Sequence, residues 1–311
     1  METDKIVILG TGYTGKELTR LGRNSGYSIV GTTRSDDTAR FLDSQGATAV
    51  DWSVDEPLDD IANHLDPSTT VVYSIPTLFR DYQASDDAGP ARHTQPVAEV
   101  LEVCRRRNIE RFIYLSSTSV YGDHGGSWVD ETSPREPTSP VGKMRSDIED
   151  YLLDQSIDFP VNIARLVGIY GPGRTLVNYI QSGRYTLLSD AKQISNRVHV
   201  HDIARAIIAI IERGSQQTRV FNVTDGRPQP TRDLVEFICN QAGIDLPPEE
   251  TIDDYIERVD NPNAVARRQN TIRVLNDRLR EELNFSLVYP DAFSGYEDIL
   301  ETPQPTSPEP S

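Results

Sequence analysis

Short apolar runs alternate with helix-patterned stretches through the first half of the chain. IVIL (6–9), SIVGTT (28–33), ATAV (47–50), TVVYSI (70–75), RFIYLSS (111–117) and PVNIAR (160–165) have the length and flanks of buried strands. Between most of them, apolar residues recur at helical spacing. One such stretch runs through Leu18 and Leu21, one surrounds Ala39 to Leu42, and the clearest spans Gln95 to Arg107. Strands apolar on both faces, alternating with helices, predict a parallel sheet covered on both sides. Right-handed crossovers then leave a doubly wound α/β sheet as the main option.

The pattern changes after about residue 168. Gly, Pro and Tyr crowd into GIYGPGR (168–174). A helix is expected over Asp202 to Glu212, with Asp202 as its N-cap. RVFNV (219–223) reads as a further strand that extends the sheet. TRDLVEFICNQAG (231–243) reads as a helix ending at Gly243. The predicted organisation is a dinucleotide-type domain over 1–168, with about 197–226 returning to it. A smaller C-terminal α/β substrate-binding part is expected from 169–196 and 227–300. Residues 301–311, rich in Pro, Ser and Glu, are expected to be a disordered tail.

Charge and composition narrow the partners. The 311 residues carry 48 acids against 31 bases, a formal net charge of −17. That argues against a nucleic-acid or membrane-surface partner and leaves room for a small anionic ligand in a local basic pocket. Cys104 and Cys239 both fall on apolar helical faces, so both read as core residues. METDKIVILG has acids where a signal peptide needs bases, and AIIAII (206–211) is too short to span a bilayer. The expectation is a soluble cytoplasmic protein that acts on a small molecule.

Candidate chemistry begins at Gly10-Thr-Gly12-Tyr13-Thr14-Gly15, which follows the first strand and opens the first helix. In that context GxGxxG predicts a Rossmann-like dinucleotide site. Gly10 serves the tight turn, Gly12 admits the pyrophosphate, and Gly15 lets helix and strand pack closely. The unpaired N–H groups at the helix N-terminus then face the phosphates. The second strand ends in Thr32-Thr33-Arg34, where an NAD site expects an acid. Thr33 and Arg34 suit the 2′-phosphate of NADP, with NAD as the alternative. Asp51, Ser74 and Ile75 end the third and fourth strands, at the sheet edge where ligands bind, and join the candidate cofactor contacts.

YLSSTSVYGDHGG (114–126), SPVGKMR (139–145), RLVGIYGPGR (165–174) and RVHVHDIA (197–204) together resemble the extended short-chain dehydrogenase/reductase superfamily, near its NAD(P)-dependent epimerase/dehydratase branch. The resemblance implies a Ser/Thr–Tyr–Lys site acting by hydride transfer on a sugar-like or nucleotide-sugar substrate. Carried over, the serine is Ser117, and Ser116 beside it joins the cofactor contacts. The Tyr-x-x-x-Lys pair falls on Val141 and Arg145. Valine cannot carry a proton, whereas Arg145 keeps a cation for the nicotinamide ribose. The Gly loop departs too, with Leu9 where relatives have their first glycine.

His124, in a Gly-rich loop, is the candidate acid/base, and Tyr121 and Glu131 are weighed beside it. Tyr121 reads as a packed tyrosine with a bonded hydroxyl. His199 and His201 form an H-x-H on an expected strand, a spacing more often structural than zinc-binding, and no metal site is expected. Arg165, Arg174 and Arg197 are candidate cations for a substrate diphosphate. Two functions follow: an oxidoreductase or epimerase with an atypical site, or a non-catalytic NADP(H) sensor or scaffold. Relatives often dimerise through helices that would here include 90–107 and 141–155.

Overall fold

The structure, a computed structural model, describes residues 4–76, 91–154, 158–190 and 192–301. The predicted strands form one parallel sheet of seven. They are β1 (Lys5–Leu9), β2 (Ser28–Thr33), β3 (Thr48–Asp51), β4 (Thr69–Tyr73), β5 (Arg111–Ser117), β6 (Val161–Leu166) and β7 (Arg219–Val223). Their spatial order is β7-β6-β5-β4-β1-β2-β3, and every neighbouring pair is parallel. The order reverses at β1, so a crevice opens at its carboxyl end between β1 and β4.

The principal helices are α1 (Tyr13–Asn24), α2 (Asp36–Ser44), α3 (Ala91–Arg107), α4 (Pro140–Asp154), α5 (Val200–Arg213), α6 (Thr231–Ala242) and α7 (Ala292–Glu301). Alternation along each strand sends successive side chains to opposite faces. Ile6 and Ile8 enter one apolar cluster with Leu18, Ile113, Ile207 and Phe221. Val7 and Leu9 enter the other with Val100, Cys104, Phe112 and Ile148. A third cluster joins Tyr170, Leu187, Leu234, Cys239 and Tyr296 away from the sheet. Both cysteines are therefore core residues, and burial pushes the Cys104 thiol up to about 12.

Local chemistry sets several boundaries. Ser35 caps α2 by accepting from Thr38 N. Gly243, at φ 63°, ends α6 in the left-handed conformation, as its position predicts. One expected cap is corrected. Helix α5 starts before Asp202, and its N-cap is His199, whose Nδ1 accepts from His201 N at 3.2 Å. Asp202 is fully buried and accepts from Val288 N and Tyr289 N, each at 2.9 Å, and from Arg205 at 3.0 Å. It anchors a distant loop to α5. The H-x-H pair is corrected with it: His199 ends a three-residue strand and His201 lies in the first turn of α5. The expected disordered tail lies, from residue 302 on, outside the described residues.

Candidate active site at the carboxyl edge of the sheet

The Gly-rich turn is held from below by β2. Gly10 N donates to Thr32 Oγ1 at 2.8 Å, and Thr11 N to Thr32 O at 3.0 Å. Thr32, not its neighbour Thr33, supplies that support, and its buried position in a strand gave no hint of the role. Gly10 stands at φ +89°, and a Cβ there would lie 3.2 Å from the Ile75 nitrogen. Ser74 and Ile75, at the end of β4, are thus brought against the loop. A Cβ on Gly15 would lie 3.2 Å from Gly10 O, whereas Gly12 faces open space. Gly12 is the N-cap of α1 with no side-chain cap bond. The first N–H groups of α1 therefore point into that space without protein partners.

The loop fits a dinucleotide diphosphate on these observations: clear space over Gly12, uncapped donors around it, and a backbone shape only glycine permits. At the end of β2, Thr33 stands in register with Asp51 of β3. Thr33 Oγ1 accepts from Ser35 N at 3.0 Å. Arg34 and Asp51 are exposed, and neither side chain has a hydrogen-bond or ion-pair partner among the described residues. Thr33, Arg34 and Asp51 therefore gather at one corner of the crevice.

The other corner lies above β5. Ser117 is half-buried, ends β5 and begins a 3₁₀ turn over Thr118–Val120, where its hydroxyl accepts from Ser119 N at 3.2 Å. Helix α4 starts against that turn, since a Cβ on Gly142 would lie 2.6 Å from Ser119 O. Val141 and Arg145 share one face of α4. Val141 N donates to Asn263 Oδ1 at 3.0 Å, and Arg145 donates to Leu115 O at 3.1 Å. Lys143 is exposed on another face. Ser117, Val141 and Arg145 thus surround the carboxyl end of β5.

Below this corner lies a buried polar network that sequence reading missed. Glu149 is fully buried one turn beyond Arg145. It accepts from Ser116 Oγ at 2.6 Å and from Arg165, whose Nη2 lies at 2.7 Å. Arg165 also donates to Tyr121 Oη at 2.8 Å, and Tyr121 donates to Asn222 Oδ1 at 2.7 Å. Two expectations are corrected here. Ser116 turns its hydroxyl onto Glu149 instead of a cofactor. Arg165 is 2% exposed and neutralises Glu149, so it is no substrate-facing cation. The sequence signal was the i, i+4, i+8 series Val141, Arg145, Glu149. Tyr121 is the packed, bonded tyrosine expected, and burial pushes its hydroxyl up to about 12.

His124 is half-buried in the loop after Tyr121, and its Nε2 lies 3.1 Å from Tyr121 O. A carbonyl only accepts, so Nε2 carries the proton and Nδ1 the lone pair in the neutral ring. Glu131 is 3% exposed at its side chain and accepts from Asn222 N at 2.7 Å, which makes it a brace for β7. Arg197 bonds Ser195 Oγ at 2.8 Å, and Arg174 is exposed. No group of three or more His, Cys, Asp or Glu side chains is placed to hold a metal among the described residues. Asp225 is a second missed residue. It is 5% exposed just beyond β7, its Oδ2 has no partner, and burial pushes its carboxyl up to about 7.

Fold and crevice define a Rossmann-type dinucleotide enzyme. Residues 6–224 match the model of the NAD dependent epimerase/dehydratase family, and the chain belongs to that family. It is accordingly an enzyme of oxidoreductase type, and several of its curated homologues are named as epimerases or dehydratases. Protein YeeZ of Escherichia coli K12 is 28% identical over 215 residues, covering 67% of this chain and 73% of that protein. A functionally unknown conserved protein from Silicibacter pomeroyi shares 30% identity with a TM-score of 0.77, covering 96% of this chain and 98% of that one. UDP-glucuronic acid 4-epimerase from Bacillus cereus, solved with UDP-glucuronic acid and NAD, has a TM-score of 0.73 at 18% identity, covering 95% and 98%, a likeness of fold. No helix among the described residues is long and apolar enough to cross a membrane.

Proposed function

We propose that the protein binds NADP(H) in the crevice above β1 and carries out oxidoreduction or epimerisation of a sugar-like or nucleotide-sugar substrate without the usual tyrosine. The observation that carries this is the open space over Gly12, with the unpartnered Arg34 guanidinium at the end of β2. The backbone of Gly12, Tyr13, Thr14 and Gly15 takes the diphosphate. Arg34 and Thr33 take the 2′-phosphate, while Asp51, Ser74 and Ile75 line the adenosine side. When bound, the cofactor supplies a hydride acceptor or donor at its nicotinamide.

The chain's own groups do the rest. Arg145, fixed on Leu115 O, offers its remaining N–H edge to the nicotinamide ribose. Ser117 donates to the reacting substrate oxygen. With valine at 141, the proton passes through another group, and His124 Nδ1 is the candidate base. A lost general base typically costs about 10² to 10⁴ in rate, so turnover is slow unless His124 compensates. The resemblance also implies a homodimer through α3 and α4, which lie side by side with His93 Nε2 and Asp147 2.9 Å apart.

Calorimetric titration of NADPH and NADH into the wild type and Arg34→Ala tests the cofactor assignment. Micromolar NADPH binding that collapses in the variant, with NADH little changed, supports it. A Ser117→Ala loss of substrate-dependent absorbance change at 340 nm supports the reaction. Binding of neither cofactor overturns the reading.

A further inference from the structure

The Gly-rich loop has a neighbour from far along the chain. Gly171 to Arg174 form a tight turn, with Arg174 N donating to Gly171 O at 2.9 Å and Gly171 N donating to Arg174 O at 3.2 Å. This turn is seated on Tyr13, the first residue of α1. Tyr13 Oη donates to Pro172 O at 3.0 Å. A Cβ on Gly171 would lie 2.6 Å from Tyr13 Oη and 2.7 Å from Val200, so any side chain there would displace one of them.

The turn returns Arg174 to the loop. Its guanidinium lies over the Tyr13 ring, 5.5 Å from the centroid. It is exposed, and no carboxylate pairs with it among the described residues. A guanidinium stacked on a ring keeps the N–H groups at its edge free, in the fork that suits phosphate oxygens.

A second observation comes from below the same junction. His199 is 4% exposed, and its Nδ1 accepts from His201 N. Nε2 therefore carries the proton in the neutral ring, and it has no acceptor. It lies 3.3 Å from where a Gly171 Cβ would stand, the point that Tyr13 Oη approaches to 2.6 Å. An uncapped helix N-terminus and an unpaired cation thus lie where residues 10–15 and 171–174 touch, with the buried His199 donor, lacking an acceptor, on the inner side of Gly171. All three favour an anion.

We propose that Arg174 is a ligand of the cofactor's diphosphate, delivered onto the Gly-rich loop by the Gly171–Arg174 turn, and not a contact for the substrate's diphosphate. This rests on the cofactor assignment above. One side chain from the second half of the sequence then completes the cofactor site, so cofactor binding and the placement of residues 171–174 are linked.

The test is calorimetric titration of the full-length wild type, Arg174→Ala, Arg174→Lys and Tyr13→Phe. The probes are NADPH, NADH and ADP-ribose, which hold the diphosphate, 2′-AMP, which lacks it, and UDP for the substrate side. Arg174→Ala is expected to weaken all three diphosphate probes by about tenfold or more and to leave 2′-AMP and UDP unchanged. Lysine restores part of the loss, and Tyr13→Phe, which keeps the ring and loses the anchor to Pro172, costs less than Arg174→Ala. Because Arg174 is exposed, thermal melting of its variants should match the wild type. Unchanged NADPH affinity in Arg174→Ala, or a loss confined to UDP, overturns this inference alone. Absence of dinucleotide binding by the wild type overturns the cofactor assignment, and this inference with it.

Discussion

Residues with the same chemistry take different roles here according to burial. Arg34, Arg145, Arg165 and Arg174 are alike in sequence. Arg165 is sealed against Glu149 and Tyr121, Arg145 is held on a strand carbonyl, and Arg34 and Arg174 are left with exposed charges. Removing Arg165 leaves the buried Glu149 carboxylate with only a longer, 3.5 Å contact to the partly exposed Arg135. Arg165→Ala should therefore destabilise the fold by about 3–5 kcal/mol, measured by chemical denaturation. Asp225 makes a pH-dependent prediction. Its carboxyl ionises near 3.8 when unfolded and near 7 when folded, so stability falls as pH rises across that interval. Asp225→Asn keeps an acceptor for Arg227 N and avoids the buried charge. It should leave stability little changed at pH 4 and raise it by a few kcal/mol at pH 8, in urea titrations at both values.

Elements carry the next level of coupling. Helices α1 and α5 are joined by Glu17 and His201, with Oε1 and Nδ1 2.9 Å apart. The hydrogen bond with Glu17 holds the His201 pKa above its ordinary 6.5, and the bond with His201 holds the Glu17 pKa below its ordinary 4.5. The contribution of the pair is complete between these two values. It fades as pH rises through the raised histidine value, and again as pH falls through the lowered glutamate value. Both groups are partly exposed, so the effect is modest. His201→Gln should flatten the stability profile between pH 6 and 8 in thermal melts. Because α1 opens at the Gly loop and α5 starts at His199, this contact also bears on the cofactor site. Helix α4 shows how far element patterns were legible. Its span came only from the family resemblance, which implied a helix including 141–155, and with it the shared Val141–Arg145 face. The same spacing puts Glu149 on that face, but its burial was not legible, because the spacing alone does not mark a glutamate as buried until β6 supplies Arg165.

At the scale of the whole molecule, the sheet order brings Gly10, Ser74 and Ile75 together and sets Ser117, Leu166 and Val223 side by side across β5, β6 and β7. A cofactor that binds only this assembled state stabilises it by mass action. NADPH at about 100 times its Kd should add about 2.7 kcal/mol, read as a rise in melting temperature that Arg34→Ala and Arg174→Ala both reduce.

Periodicity, turn glycines and the run of motifs along the chain determined the strands, most helices, the doubly wound class, the family and the position of the Gly-rich turn. These follow from local rules: two faces per strand, one stripe per helix, and a backbone shape that only glycine allows. Tertiary structure alone decided which polar residues are spent on the core. It took Ser116 and Arg165 from the candidate site, gave the α5 cap to His199 instead of Asp202, and brought Arg174 onto Tyr13 across 161 positions of sequence. Burial and partnership are properties of pairs distant in the chain, and no single segment carries the information that pairs them.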